Sequence, residues 1–298
     1  MAQVKANGIS IEYESFGPES ADPVLLIMGL GAQLTLWPVE LCEALVSRGF
    51  RVVRYDNRDV GLSTKFVDAP VPQLPAVLAA VMSGQDPKVP YRLDDMAADA
   101  AGLLDALGLE RAHIVGASMG GMIAQLFAAT YPARTLSLTS IMSTTGNPAV
   151  PPASPEAIGV LMSRPQGGDV DAVVEFGVKA ARVIGSPAYP ADETALRARV
   201  RRDVERSNYP AGFARQMAAI YANGDRRAKL ASITAPTVVI HGAADPLVPI
   251  EGGRDTAASI KGAELIEIEG MGHDLPLALV DRIADAVAAV AKRAKVAA

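Results

Sequence analysis

The stretch Ala112-His113-Ile114-Val115-Gly116-Ala117-Ser118-Met119-Gly120-Gly121 leaves a chain few ways to fold. Ala112 to Val115 make a short apolar run suited to a buried strand, and Met122, Ile123, Leu126, Phe127 and Tyr131 then recur at helical spacing. Between the two, only very small residues surround one serine. The pattern predicts a sharp strand-to-helix turn that exposes Ser118, with Gly116 and Gly120 where the flanking backbones pass too close for side chains.

The rest of the chain supplies the sheet that such a turn needs. Residues 2–16 alternate weakly and turn near Asn7-Gly8, which predicts an antiparallel hairpin. Val24 to Met28 is a continuous apolar run, expected of a central strand buried on both faces, and it ends in Gly29-Leu30-Gly31. A helix over 38–47, a strand over 51–55, a helix over 93–107 opening with Asp94 and Asp95, and a strand over 135–142 follow. This alternation predicts a mostly parallel sheet covered on both sides. Between 143 and 229 it stops, and prolines and helical patterns take over at 155–163, 169–184, 192–206 and 212–222. It resumes with strands over 237–241 and 264–268 and a closing helix over 276–292, whose Ala/Lys-rich end is expected to fray. The 298 residues thus divide into an α/β core, 1–142 and 230–298, and an inserted helical cap, 143–229.

Composition narrows the partners. A net charge of -5, with basic residues scattered among acidic ones, carries no footprint for nucleic acid or an anionic membrane. Cys42 is the single cysteine, which excludes an internal disulfide and a multi-cysteine metal site and suits the cytoplasm. No cofactor or metal is expected. Oligomeric state leaves no mark in the sequence.

A serine hydroxyl is a poor nucleophile at neutral pH, so a catalytic Ser118 needs a base and a group to orient that base. Three histidines are available. His113 lies inside the strand that leads to Ser118, at its wrong end. His273, in the glycine-rich loop Gly270-Met271-Gly272-His273-Asp274 after the last strand, is the favoured base; His241 ends a strand and reads as packing. Asp245, after the carboxyl end of the preceding strand and stiffened by Pro246, is favoured as the acid over Asp274, because adjacent side chains diverge. A developing oxyanion needs backbone donors, and the N–H groups of Met119 and Leu30 are the candidates. The loop 29–31 is not a dinucleotide fingerprint, since Leu34 stands where its third glycine belongs, and Met122 replaces the lysine of a phosphate loop.

On these residues the chain resembles the α/β-hydrolase superfamily over nearly its whole length, and within it the small carboxylesterases that include aclacinomycin methylesterase. The resemblance rests on Met28-Gly29-Leu30-Gly31, the run Arg54 to Ser63, Gly116-Ala117-Ser118-Met119-Gly120, the run His241 to Pro246, and Gly270-Met271-Gly272-His273. It implies an α/β-hydrolase fold with an eight-stranded sheet and a serine hydrolase with a lid. The superfamily more often has His-Gly where this chain has Met28-Gly29, and Arg-Gly where it has Arg58-Asp59; the methylesterase-like group shares both departures.

The expected reaction is cleavage of a small to medium hydrophobic carboxylic ester through an acyl-enzyme on Ser118. Lactones, thioesters and carbon–carbon bonds suit the same triad, and a hydrolase-fold receptor with little turnover is the reading of another class. Gly29, Met162, Phe176, Met217 and Tyr221 are the candidate substrate contacts, although Met and aromatic residues at helical spacing equally make a cap core. Arg197, Arg199, Arg201 and Arg202 read as a solvated helix face, with Arg199 and Arg201 paired to Asp203 and Glu205 four residues on.

Overall fold

The computed structural model describes residues 1–163, 165, 166 and 168–296. Eight strands form one sheet: β1 (Ala2–Ala6), β2 (Ile9–Phe16), β3 (Asp22–Ile27), β4 (Phe50–Tyr55), β5 (Ala112–Ala117), β6 (Thr135–Ile141), β7 (Thr237–Gly242) and β8 (Glu264–Ile268). They lie in the order β1-β2-β4-β3-β5-β6-β7-β8, with β1, β2 and β4 paired antiparallel and every later pairing parallel. The β1–β2 hairpin turns where expected, with Asn7 at φ +48° and Gly8 at φ +78°, as a two-residue hairpin turn demands. Val24, Leu25, Leu26 and Ile27 are all buried, because β3 sits in the middle of the sheet with helices on both faces.

Eleven helices accompany the sheet among the described residues. In chain order they are α1 (Val39–Ser47), α2 (Leu74–Met82), α3 (Leu93–Ala106), α4 (Met119–Thr130), α5 (Pro155–Met162), α6 (Val170–Ile184), α7 (Glu193–Arg206), α8 (Pro210–Asn223), α9 (Arg227–Leu230), α10 (Ile250–Ser259) and α11 (Val280–Val296). One core layer packs α3 and α4 on the sheet through Leu103, Leu104, Ile123 and Phe127. The other packs α1 and α11 on the opposite face through Leu41, Leu45, Ile283 and Val287. The helices between β6 and β7 carry a small cluster of their own, Val174, Val178 and Leu196, where α6 meets α7.

Three local differences from the sequence reading have simple causes. Helix α2, Leu-Pro-Ala-Val-Leu-Ala-Ala-Val-Met, is apolar almost all round and buries only Val77, so it has no amphipathic period to read. The last helix starts at Val280, because Pro276 and a single 3₁₀ turn over Leu277–Leu279 precede it. The expected ion pairing along α7 is mostly replaced by pairing across to α6. Arg197 bonds Glu175, and Arg201 bonds Asp171 with Glu205 a more distant 3.6 Å away. Arg199 is half-buried with no carboxylate within 4 Å among the described residues; Asp203 accepts instead from Thr35 Oγ at 2.7 Å.

Candidate active site

Ser118 joins β5 to α4 with φ +55° and ψ −122°, a conformation that costs an L-residue about 1–3 kcal/mol. Four hydrogen bonds hold it there. Its N–H donates to Ile141 O at 2.9 Å, and its carbonyl accepts from Gly121 N (2.9 Å), Met122 N (3.2 Å) and Ser143 Oγ (2.8 Å). The glycines are required by close approach: a Cβ on Gly116 would run into the Gly120 carbonyl, and one on Gly120 into the carbonyls of Ile27 and Met28. The pentapeptide thus locks β3, β5 and α4 together around one half-exposed hydroxyl.

The structure brings Ser118, His273 and Asp245 into one line. Ser118 Oγ stands 2.9 Å from His273 Nε2, and His273 Nδ1 stands 2.7 Å from Asp245 Oδ2. The carboxylate can only accept, so Nδ1 carries the proton and Nε2 presents its lone pair to the serine. The other oxygen, Asp245 Oδ1, accepts from Leu247 N at 2.9 Å and Val248 N at 2.8 Å, which fixes the carboxylate's plane. Asp274 is turned elsewhere: it accepts from Ser186 Oγ, and burial holds its carboxyl above the usual range.

The other two histidines are occupied in packing. His241 is fully buried, its Nε2–H donates to Val248 O at 2.7 Å, and burial pushes its pKa down. His113 sits with Nδ1 2.8 Å from Ser137 Oγ and its ring edge against Phe50.

The N–H groups of Met119 and Leu30 have no protein acceptor among the described residues. Met119 N lies at the first turn of α4, where helix N–H groups are unsatisfied and the dipole is positive. Leu30 lies in a turn closed by Ala32 N donating to Gly29 O at 3.3 Å, with Gly31 at φ +65°. Gly29 packs against Ser118, since a Cβ there would stand 3.1 Å from Ser118 Cβ. Met28, where the superfamily more often has histidine, is buried near Trp37, and Asn57 Nδ2 donates to its carbonyl at 2.9 Å.

Beside these residues lies a cavity of about 400 Å³. Met122, Leu247 and Val248 link its wall to the segments that carry Ser118 and Asp245, and the rest of the wall comes from Val81, Thr144, Pro249 and the 146–153 and 220–226 segments; Ser118, Asp245 and His273 are not themselves among the lining residues. Ile220 and Tyr221 of α8 close it. Of the candidate substrate contacts, Tyr221 lines this cavity and Gly29 touches Ser118, while Met162, Phe176 and Met217 are not among its walls. Met162 is half-exposed at the end of α5, Phe176 half-buried on α6, and Met217 buried within α8. Among the described residues no three His, Cys, Asp or Glu side chains could hold a metal ion, and no helix is long and apolar enough to cross a membrane.

The sequence reading missed the residues that hold this machinery. Asp59, at φ +67° and buried, accepts from Arg215 Nε at 2.8 Å and from Tyr91 Oη at 2.8 Å. Asp56 accepts from Leu34 N (2.7 Å) and Leu62 N (2.8 Å) and is ion-paired with Arg206, whose Nη1 stands 2.7 Å away. Arg206 and Arg215 lie on α7 and α8, and charge on an otherwise ordinary helix gives no sign of an acceptor some 150 residues away. The departure Arg58-Asp59 was the one available signal, because a charged side chain in a turn that usually takes glycine needs a partner.

A sheet of this order, with a serine on the β5–α4 turn and a histidine and an aspartate after later strands, defines a class, and comparison with known proteins agrees. The model of the α/β hydrolase fold matches residues 22–277, and the chain belongs to that family and is a serine hydrolase of its fold. Rhodomycin D methylesterase of Streptomyces sp. (strain C5) is 31% identical over 97% of each chain. The 2-hydroxy-6-oxononadienedioate/2-hydroxy-6-oxononatrienedioate hydrolase of Paraburkholderia xenovorans is 28% identical over 89% of this chain and 84% of its own. The solved structure of an enol-lactonase from Burkholderia xenovorans LB400 superposes with a TM-score of 0.73 at 25% identity, covering 98% of this chain and all of the other.

Proposed function

We propose that this protein is a carboxylesterase in which Ser118 is the nucleophile, His273 the general base and acid, and Asp245 the group that orients the imidazole. The observation that carries the reading is the unbroken line from Asp245 Oδ2 through His273 to Ser118 Oγ at 2.7 and 2.9 Å. Ser118 Oγ attacks the ester carbonyl carbon as His273 Nε2 takes its proton, and Asp245 stabilises the imidazolium. The carbonyl oxygen, now negative, is held by the N–H groups of Leu30 and Met119. The carbon–oxygen bond to the alcohol then breaks as His273 returns the proton to the leaving oxygen. Water repeats the cycle on the acyl-serine and releases the acid.

The 400 Å³ cavity supports an apolar acyl or alcohol group, since its size is at the small end of ordinary ligand pockets and Met122, Leu247 and Val248 join its wall to the segments that carry Ser118 and Asp245. Its lining makes Tyr221 a substrate contact in this reading, with Gly29 beside the reacting carbon. Residues 143–229 act as the cap over the core formed by 1–142 and 230–298. The reaction needs no cofactor or metal, and the lone Cys42, whose thiol burial pushes up to about 12, suits a cytoplasmic setting. The test is hydrolysis of p-nitrophenyl acetate, butyrate and octanoate by wild type beside Ser118→Ala and His273→Ala. Turnover by wild type that falls by several orders of magnitude in both folded variants is expected; either variant retaining most of it refutes the assignment.

A further inference from the structure

The turn that carries the Leu30 N–H is not held by the core alone. Ala32 N closes it onto Gly29 O with a long 3.3 Å bond, and Gly31 at φ +65° occupies the position that a type II turn gives to glycine. Type II and type I turns interconvert by rotating their central peptide, here the one joining Leu30 to Gly31. The N–H of that peptide donates to Gln216 Oε1 at 2.8 Å. Gln216 belongs to α8, 185 residues further along, and is wholly buried.

Both ends of the Gln216 amide are committed. While Oε1 takes the Gly31 N–H, Nε2 donates to Arg58 O at 2.8 Å, so the amide cannot turn over without losing both bonds. Arg58 is itself fixed, its guanidinium paired with Asp99 at 2.6 Å. The neighbouring pair repeats the tie, since Arg215 bonds Asp59 at 2.8 Å. Phe213 completes the seat: a Cβ on Gly31 would stand 2.6 Å from its ring. This wholly buried glutamine ties the Gly31 N–H, and with it the turn, to the Arg58 carbonyl.

Resting on the esterase reading, we propose that Gln216 is a positioning residue of the oxyanion hole: it anchors the Leu30–Gly31 peptide to α8 and so fixes the place of the turn whose preceding peptide, Gly29–Leu30, aims the Leu30 N–H at the carbonyl oxygen. Its Gly31 bond matters more in the transition state than in substrate binding, because the oxyanion exists only there.

The experiment compares Gln216→Met, which keeps the length of the side chain but offers no acceptor to Gly31, with Gln216→Glu, which keeps the acceptor. Both are assayed on p-nitrophenyl butyrate with wild type and Ser118→Ala alongside, and inhibition by an alkyl boronic acid, which forms a tetrahedral anion on the serine, is measured on each. Gln216→Met is expected to lose about 10- to 100-fold in kcat, less than deleting an oxyanion donor outright, with KM changed by less than about 3-fold. Boronate affinity falls by a comparable factor, and Gln216→Glu stays within about 5-fold of wild-type kcat, a loss allowed for the lost Arg58 bond. Folded Gln216→Met with kcat within about 2-fold of wild type, or Gln216→Glu losing as much as Gln216→Met, overturns the proposal. If the methionine variant does not fold, Gln216→Asn, one methylene too short to reach Gly31, takes its place under the same criteria. Wild type without esterase turnover, or Ser118→Ala retaining it, sinks the esterase reading and this proposal with it. Wild type that turns over, with Ser118→Ala inactive, but with the Gln216 variants failing the criteria above, sinks this proposal alone.

Discussion

A single methyl group at Gly120 tests whether the Ser118 turn and the Gly29–Gly31 loop are one rigid unit. A Cβ built there stands 2.6 Å from the Ile27 carbonyl carbon and 2.8 Å from Met28 O, with Ile27 O nearer still. Ordinary van der Waals contact begins at 3.4 Å, and every offending atom is backbone in the central strand β3 or the residue after it. No side chain can swing aside. β3 and α4 must therefore separate by roughly 1 Å, and overpacking of this kind costs about 1–3 kcal/mol. The same separation carries the Gly29–Gly31 turn away from Ser118, and a misplacement of about 1 Å at reacting groups costs on the order of 100-fold in rate. Gly120→Ala is expected to lose both stability, read by urea denaturation, and kcat on p-nitrophenyl butyrate. Gly159→Ala is the control: it lies exposed on α5 with nothing within 4 Å of its would-be Cβ, and alanine there should stabilise by about 0.5–1 kcal/mol with kcat unchanged. Wild-type kcat and stability in Gly120→Ala would refute the reasoning.

Other expectations are independent of that one. His241 is buried neutral with its pKa depressed, so on acidification the unfolded chain takes up the proton first, and stability falls as pH drops below about 6.5. His241→Gln, which can keep the bond to Val248 O without titrating there, should show a flatter stability–pH curve between pH 7 and 5; an unchanged slope contradicts this. Tyr221→Ala enlarges the 400 Å³ cavity and should raise the octanoate-to-butyrate ratio of kcat/KM by about 10-fold, whereas no change in the ratio removes Tyr221 from the pocket. Asp59→Ala strands Arg215, which is 1% exposed, and should destabilise the fold by about 3–5 kcal/mol in thermal or urea unfolding. A loss under 1 kcal/mol would show that Arg215 finds another partner.

Strand and helix positions were legible wherever burial has a period. Val24 to Ile27 reads as central strand because both its faces are covered, and the Ser118 turn reads as an elbow because only glycine tolerates its neighbours. Helix α2 was not legible, since its single buried residue leaves no pattern. The Ser118, Asp245 and His273 positions could be picked out because each follows a strand, whereas Gln216, Arg215 and Arg206 could not. Their partners at Gly31, Asp59 and Asp56 lie more than 140 residues back, and pairing at that distance exists only in the folded interior. For the same reason Arg199, spaced for a bond to Asp203, faces a carboxylate that Thr35 already engages.

The segments on either side of the reacting groups are tied to the same insertion. Gly31 N–H is taken by Gln216 on α8, and the histidine loop is held by the last residue of α6 and those just after it: His273 N donates to Ile184 O at 2.7 Å, Gly272 N to Ser186 Oγ at 2.8 Å, and Ala188 N to Gly270 O at 3.1 Å. Exchanging this insertion for that of another hydrolase, to borrow its specificity, would therefore trade away the mountings of the machinery along with the pocket. A chimera stands a chance only if the graft brings its own glutamine for Gly31 and its own serine for Gly272. A library that varies the cavity wall and leaves those two residues alone is the shorter route to a new substrate.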